Sequence, residues 1–246
     1  MKLQLMTWPE VEAYLSRADT IILPVGSTEQ HGPIGLIGTD AYCAEIIADE
    51  AAEICGAIVA PVLALTPAPF NMAFPGTISL STGTFQSVMA EVLSGLIAHG
   101  FGHIYVLNAH GANLAPLTET TRDIEGASIR IRSWWDFGPV NALRQELYGS
   151  WEGMHATPSE VAITQARLRV LPMHSLAETP PRQLTDEFIR THSGDRHGPP
   201  DAHRAAFPDG RVGSHSALAK PEHGTRLIAV AAAAVAADIK EFSHRN

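Results

Sequence analysis

The sequence is poor in several things. It has two cysteines in 246 residues, Cys43 and Cys55, and both fall in one predicted helix. Helical rise over that interval would hold them about 18 Å apart, beyond disulfide reach. Both are therefore expected as buried free thiols in a cytoplasmic protein. No run of Lys or Arg relieves a net charge of −9, so the electrostatic footprint of a nucleic-acid or anionic-membrane surface is missing. Small neutral or cationic substrates suit that balance better. The longest apolar stretch, Leu227 to Ala237, stops at Asp238 and is too short to cross a bilayer. Met1 to Glu10 carries one Lys and no apolar segment, so no secretory leader is expected.

What is present is an ordinary globular composition, 45% hydrophobic and 17% charged. Ile21 to Val25, Ala57 to Leu65, His103 to Ala109 and Ser128 to Trp134 are compact apolar runs bounded by Gly, Pro or Asp, and they predict strands. Between them lie amphipathic stretches. The clearest is Thr84 to His99, whose apolar residues Phe85, Val88, Met89, Val92, Leu93, Leu96 and Ile97 line one face. Thr84 is the expected N-cap and Gly100 the stop. Further helices are predicted over Tyr42 to Ile54, Asn113 to Ile124, Val140 to Tyr148, Ser159 to Leu168 and Gly224 to Phe242. This alternation predicts an α/β fold of three layers, a mostly parallel sheet with helices on both faces. One domain spanning 1–246 is expected. Its one arrhythmic region, residues 171–213, is rich in Pro, His, Asp and Gly and reads as a lid, an oligomer contact or a mobile loop.

The chemistry gathers after the first strand. Val25-Gly26-Ser27-Thr28-Glu29-Gln30-His31-Gly32-Pro33 leads to Gly38-Thr39-Asp40, and open α/β sheets bind ligands at such strand ends. Glu29 and His31 alternate by two and project alike in an extended segment. With Asp40 they form a mixed oxygen and nitrogen set that suits Zn²⁺ or Mn²⁺ and accepts Fe²⁺. The rival reading makes Glu29 solvent-exposed and Asp40 a helix cap. His110 closes a second strand-end turn, Ala109-His110-Gly111-Ala112-Asn113, as a ligand or as a hydrogen-bonded structural residue. In Trp151-Glu152-Gly153-Met154-His155-Ala156-Thr157-Pro158-Ser159-Glu160, His155 is the general acid/base candidate. Glu160 falls in a helix's first turn, facing the site or complementing the helix dipole. His174, His192, His197, His203 and His215 are expected mostly as surface or loop residues.

These three motifs, with Ser133-Trp134-Trp135-Asp136-Phe137 and the weaker Val212-Gly213-Ser214 and Glu222-His223-Gly224, resemble the creatininase (creatinine amidohydrolase) family over nearly the whole chain. The resemblance implies two divalent metal ions, one held by Glu29, Asp40 and His110, the other by His31 with Asp40 bridging. It implies hydrolysis of a small amide, cyclic amide or formamide C–N bond by a hydroxide between the ions, with His155 as the catalytic histidine. Trp135 and Trp151 correspond to substrate-side tryptophans, Ser79 joins them as a substrate-binding candidate, and a homo-oligomer is expected, with a hexamer among the options. Two positions depart from the pattern: Ala112 stands where creatininase has a metal-binding Glu, and Ile34 where a His is usual. Glu160 is the candidate to supply the missing carboxylate. The alternatives are a member that binds metal or ligand without turnover, and one that cleaves a peptide bond in cofactor maturation.

Overall fold

The computed structural model describes residues 1–244. Four parallel strands run in the order β2-β1-β3-β4: β1 (Thr20–Val25), β2 (Ile58–Val59), β3 (His103–Asn108) and β4 (Ser128–Ser133). Side chains alternate between the faces of a strand, and this alternation splits the core in two. Ile22, Tyr105 and Leu107 face one side, against α2 (Thr39–Cys55), α5 (Gly138–Tyr148), α6 (Pro158–Arg167) and α10 (Pro221–Ser243). Ile21, Leu23, Val25, Ile104 and Val106 face the other, against α1 (Trp8–Leu15), α3 (Thr82–Ala98) and α4 (Leu114–Thr121). The expected three-layer α/β architecture is present. Among the described residues no helix is long and apolar enough to cross a membrane.

Local differences from the expectations have physical causes. The expected strand at 57–65 forms a ladder only over Ile58–Val59, because Pro61 has no N–H to give. The chain nevertheless continues beside β1, where Leu63 N donates to Pro24 O and Gly26 N to Leu63 O. Helix α3 begins at Thr82, and Ser81 rather than Thr84 caps it by accepting from Thr84 N. Helix α1 went unforeseen, although Thr7 and Glu10 form a reciprocal capping box around Pro9. Residues 171–213 contain α7 (Ser175–Glu178), α8 (Asp186–His192) and α9 (Pro200–Ala206). The buried guanidinium of Arg211 ties that stretch down by donating to Leu176 O, Ala177 O and Thr179 O and by pairing with Asp209. Cys43 is buried as expected, but Cys55 is only half-buried.

Register positions the site. Val25 pairs with Asn108, and Asn108 with Ser133, so β1, β3 and β4 end level and their following loops share one edge. Helix α10 lies across α2 and α6, and Gly224 makes the closest approach, since a Cβ there would overlap Ala162 O. Gly224→Ala should destabilise the protein by about 1–3 kcal/mol through overpacking, read as a fall of roughly 2–4 °C in Tm per kcal/mol at this chain length. An unchanged melting curve would mean that the α6–α10 contact yields without strain.

Candidate metal centre

The loop after β1 is compressed against the start of α2. A side chain at Gly26 would overlap the backbone of Ala41, so this glycine lets the first turn of α2 press onto the loop. Glu29 N donates to Ile37 O at 2.8 Å and closes the loop on itself. Asp40 is not the helix cap. The N-cap position is Gly38, without a side-chain hydrogen bond, and the Asp40 carboxylate turns instead to the histidines. Its Oδ1 lies 2.8 Å from His31 Nε2 and its Oδ2 lies 3.1 Å from His110 Nδ1. Glu29 is not exposed either: it is fully buried, with Oε1 at 3.2 Å from His110 Nδ1 and 3.5 Å from His155 Nδ1.

The outer atoms of each imidazole set which nitrogen faces inward. His110 Nε2 donates to Pro67 O at 2.9 Å, which turns Nδ1 into the site. His31 Nδ1 lies 3.2 Å from Glu29 O and exposes Nε2. His155 Nε2 donates to Gln30 O at 2.8 Å and leaves Nδ1 open. Asn71 Nδ2 donates to Glu29 Oε2 at 2.8 Å, and Gln30 Nε2 donates to Asn71 Oδ1 at 2.8 Å. The spare oxygen of Glu29 is thereby occupied and Oε1 is turned inward.

Do these donors suit a cation? Glu29 Oε1, His31 Nε2 and Asp40 Oδ2 are buried without a hydrogen-bond partner, a costly state for polar atoms. His31 Nε2 is close to Asp40 Oδ1, but the approach lacks hydrogen-bond alignment. Donor atoms of Glu29, Asp40 and His110 lie within 4.8 Å of one another, and so do those of His31, Asp40 and Glu160. Asp40 belongs to both groups. Converging, unpartnered oxygen and imidazole nitrogen atoms are the donor set that divalent transition metals take. A third group, Glu29, His31 and His155, meets the same distance limit.

Glu160 occupies both of its expected positions. At the third residue of α6 its Oε2 accepts from Thr157 N at 3.0 Å and Thr157 Oγ1 at 2.7 Å, closing a capping box. The same oxygen lies 4.0 Å from His31 Nε2. Helix capping and presentation to the site are compatible because the helix starts at the site's rim.

Protons balance the protein groups among themselves. Burial alone would lower the pKa of His31, yet Asp40 and Glu160 carry it up to about 10. Burial also opposes the charged form of His110, and Glu29 and Asp40 overcome it to raise that group. Burial would raise Asp40, but His31 and His110 hold it well below the usual carboxylate range. Glu160 is pushed up to about 7, mainly by burial. His155 is pushed down to about 3, again by burial, and is neutral near pH 7.

A cleft of about 170 Å³ opens over these groups, lined by Asp40, His110, His155 and Glu160 at its base and by Trp135 and Asp195 on its walls. That is smaller than a pocket for a drug-sized ligand. Of the expected substrate-side residues the structure brings Trp135 to the cleft and not the others. Trp151 packs its ring against His215 at 5.6 Å, and Ser79 Oγ accepts from Ala68 N at 2.8 Å. Ile34 is buried with Val161 and Ala177, so packing claims that position. Of the five later histidines, His203, His215 and the ring of His197 are buried rather than on the surface. His197 and His203 pack on Phe70, which stacks on His110 at 6.5 Å. Asn71, Gln30 and Asp195 escaped the sequence patterns.

A parallel sheet that gathers carboxylates and imidazoles at its carboxyl edge makes a candidate divalent-metal site. Comparison with known proteins narrows it. The family model described as creatininase, creatinine amidohydrolase, matches residues 4–239, and the chain belongs to the creatininase family of amidohydrolases. It is 28% identical over 180 residues to the creatinine amidohydrolase of Pseudomonas putida, covering 65% of this chain and 69% of that protein. It is 34% identical over 109 residues to the mycofactocin precursor peptide peptidase of Mycolicibacterium smegmatis, covering 42% and 43%. The solved structure titled "Creatininase Mn" shares the fold with a TM-score of 0.78 at 24% identity, over 99% of this chain and 98% of that one.

A cation entering beside His31 and Glu160 must displace their protons, so higher pH favours binding. For protein stripped of metal, apparent affinity for Zn²⁺ or Mn²⁺ should rise between pH 6 and 8 by about tenfold per unit for each proton released. Titration calorimetry in buffers of different ionisation enthalpy reads both quantities. A flat pH profile would contradict this placement of the protons.

Proposed function

We propose that the protein hydrolyses a small amide, cyclic amide or formamide at a dinuclear divalent-metal centre. The observation that carries this reading is Asp40, whose two oxygens face two different histidines at 2.8 and 3.1 Å. In this reading Glu29, Asp40 and His110 hold one ion, and His31, Asp40 and Glu160 hold the other. Zn²⁺ and Mn²⁺ are the ions this donor set favours, with Fe²⁺ a further candidate. When bound, such ions lower the pKa of water and polarise a carbonyl.

The remaining chemistry falls to protein groups. His155 Nδ1 faces the centre, 3.5 Å from Glu29 Oε1, where the ring is placed to carry a proton from the attacking water to the departing nitrogen. Without that proton the leaving group would be an amide anion. The Trp135 ring forms an apolar wall for the substrate. Exposed Leu5 and Trp8 support self-association, and two unpaired thiols on one helix are in keeping with a reducing, cytoplasmic compartment.

The identity to a peptidase favours a second reading, cleavage of a peptide substrate. Metal content and turnover separate these cases. Glu160→Gln should retain one ion per chain where the wild type holds two, and His155→Ala should retain both while losing about 10²–10⁴-fold in kcat. A panel of small amides, formamides, lactams and short peptides identifies the substrate class. Two ions in Glu160→Gln, or full activity in His155→Ala, would overturn the assignment.

A further inference from the structure

Asp195 lies in the 171–213 stretch, far in sequence from the other acidic residues of the cleft. Its side chain is 10% exposed, and Oδ2 lies 3.8 Å from His110 Nδ1. The same oxygen accepts from Ala112 N at 2.9 Å. A simple loop tether explains that bond but leaves three facts over. Asp195 has a left-handed backbone, φ 54°, a region that Asp and Asn enter more readily than other non-glycine residues. A Cβ on Gly111 would overlap the Asp195 carboxylate, so the bare backbone after His110 clears its place. The other oxygen, Oδ1, makes no hydrogen bond among the described residues, and His197 Nε2 is 3.8 Å away.

Oδ2 of that carboxylate is thus engaged by Ala112 N and the His110 ring, and Oδ1 is the oxygen left for a ligand. Arg144 also lines the cleft, but its Nε donates to Glu152 at 2.9 Å and Nη1 to Asn141 at 2.8 Å. Asp195 belongs to none of the converging donor groups, and its carboxylate lines the cleft wall. We propose that Asp195 is a specificity residue, whose Oδ1 receives an N–H from a protonated amine on the carbon next to the scissile carbonyl. The site then selects small α-amino amides over their neutral isosteres. This rests on the dinuclear reading, which supplies the anchor for the carbonyl end.

Two hydroxamates that chelate divalent ions test it: glycine hydroxamate, which carries the ammonium, and propionohydroxamate, its neutral isostere. Titrated into Zn²⁺-loaded wild type, glycine hydroxamate should bind about tenfold or more tightly than propionohydroxamate, as a charge-assisted hydrogen bond implies. Asp195→Asn suits the left-handed backbone and should bring the ratio near one. Gly111→Ala, which displaces the carboxylate without deleting it, should also lower the ratio. Equal affinities in the wild type, or a preference that survives Asp195→Asn, would overturn the inference and leave the metal reading intact. Failure of the wild type to take up Zn²⁺ would overturn the metal reading, and this inference with it.

Discussion

The structure turns on keeping one carboxylate, Asp40, out of water between two imidazoles. A buried, unpaired carboxylate is among the costliest groups a fold can carry, and here both of its oxygens face His31 and His110. Everything near the site maintains that arrangement. Gly26 lets α2 close on the β1 loop. Level strand ends bring His110 alongside. Asn71 and Gln30 occupy the spare oxygen of Glu29. Cations at Asp40 would remove the charge conflict that the protein groups otherwise settle with protons.

Much of this was legible in the sequence because it is local. The Gly- and Pro-punctuated loop, the spacing of Glu29 and His31, and the strand-end position of His110 depend on contiguous residues and on the common edge of parallel strands. The same holds for Thr157-Pro158-Ser159-Glu160, where helix start and acidic residue fall within one turn. The two readings weighed for Glu160, dipole partner and site group, proved not to exclude each other, since one oxygen serves Thr157 and faces His31.

What sequence could not show depends on distant contacts. Asn71 reaches Glu29 across 42 residues and Gln30 approaches His155 across 125, and no local period reports such pairs. Asp195 reaches the cleft from a stretch with no sustained pattern. Trp151 and Ser79 have contacts that no local pattern reports, with His215 and with Ala68 N. Pro61 cut the second strand to two residues, an effect the apolar run concealed. Helix α1 carried a readable signal in Thr7, Pro9 and Glu10, which hydrophobic periodicity does not weigh.

The central claim is that Asp40 stands between two cations. Anomalous diffraction from Mn²⁺- or Zn²⁺-loaded crystals tests it directly. The account predicts two peaks flanking Asp40, one against Oδ2 beside Glu29 and His110, the other against Oδ1 beside His31 and Glu160. A single peak, or peaks remote from the Asp40 carboxylate, would contradict it.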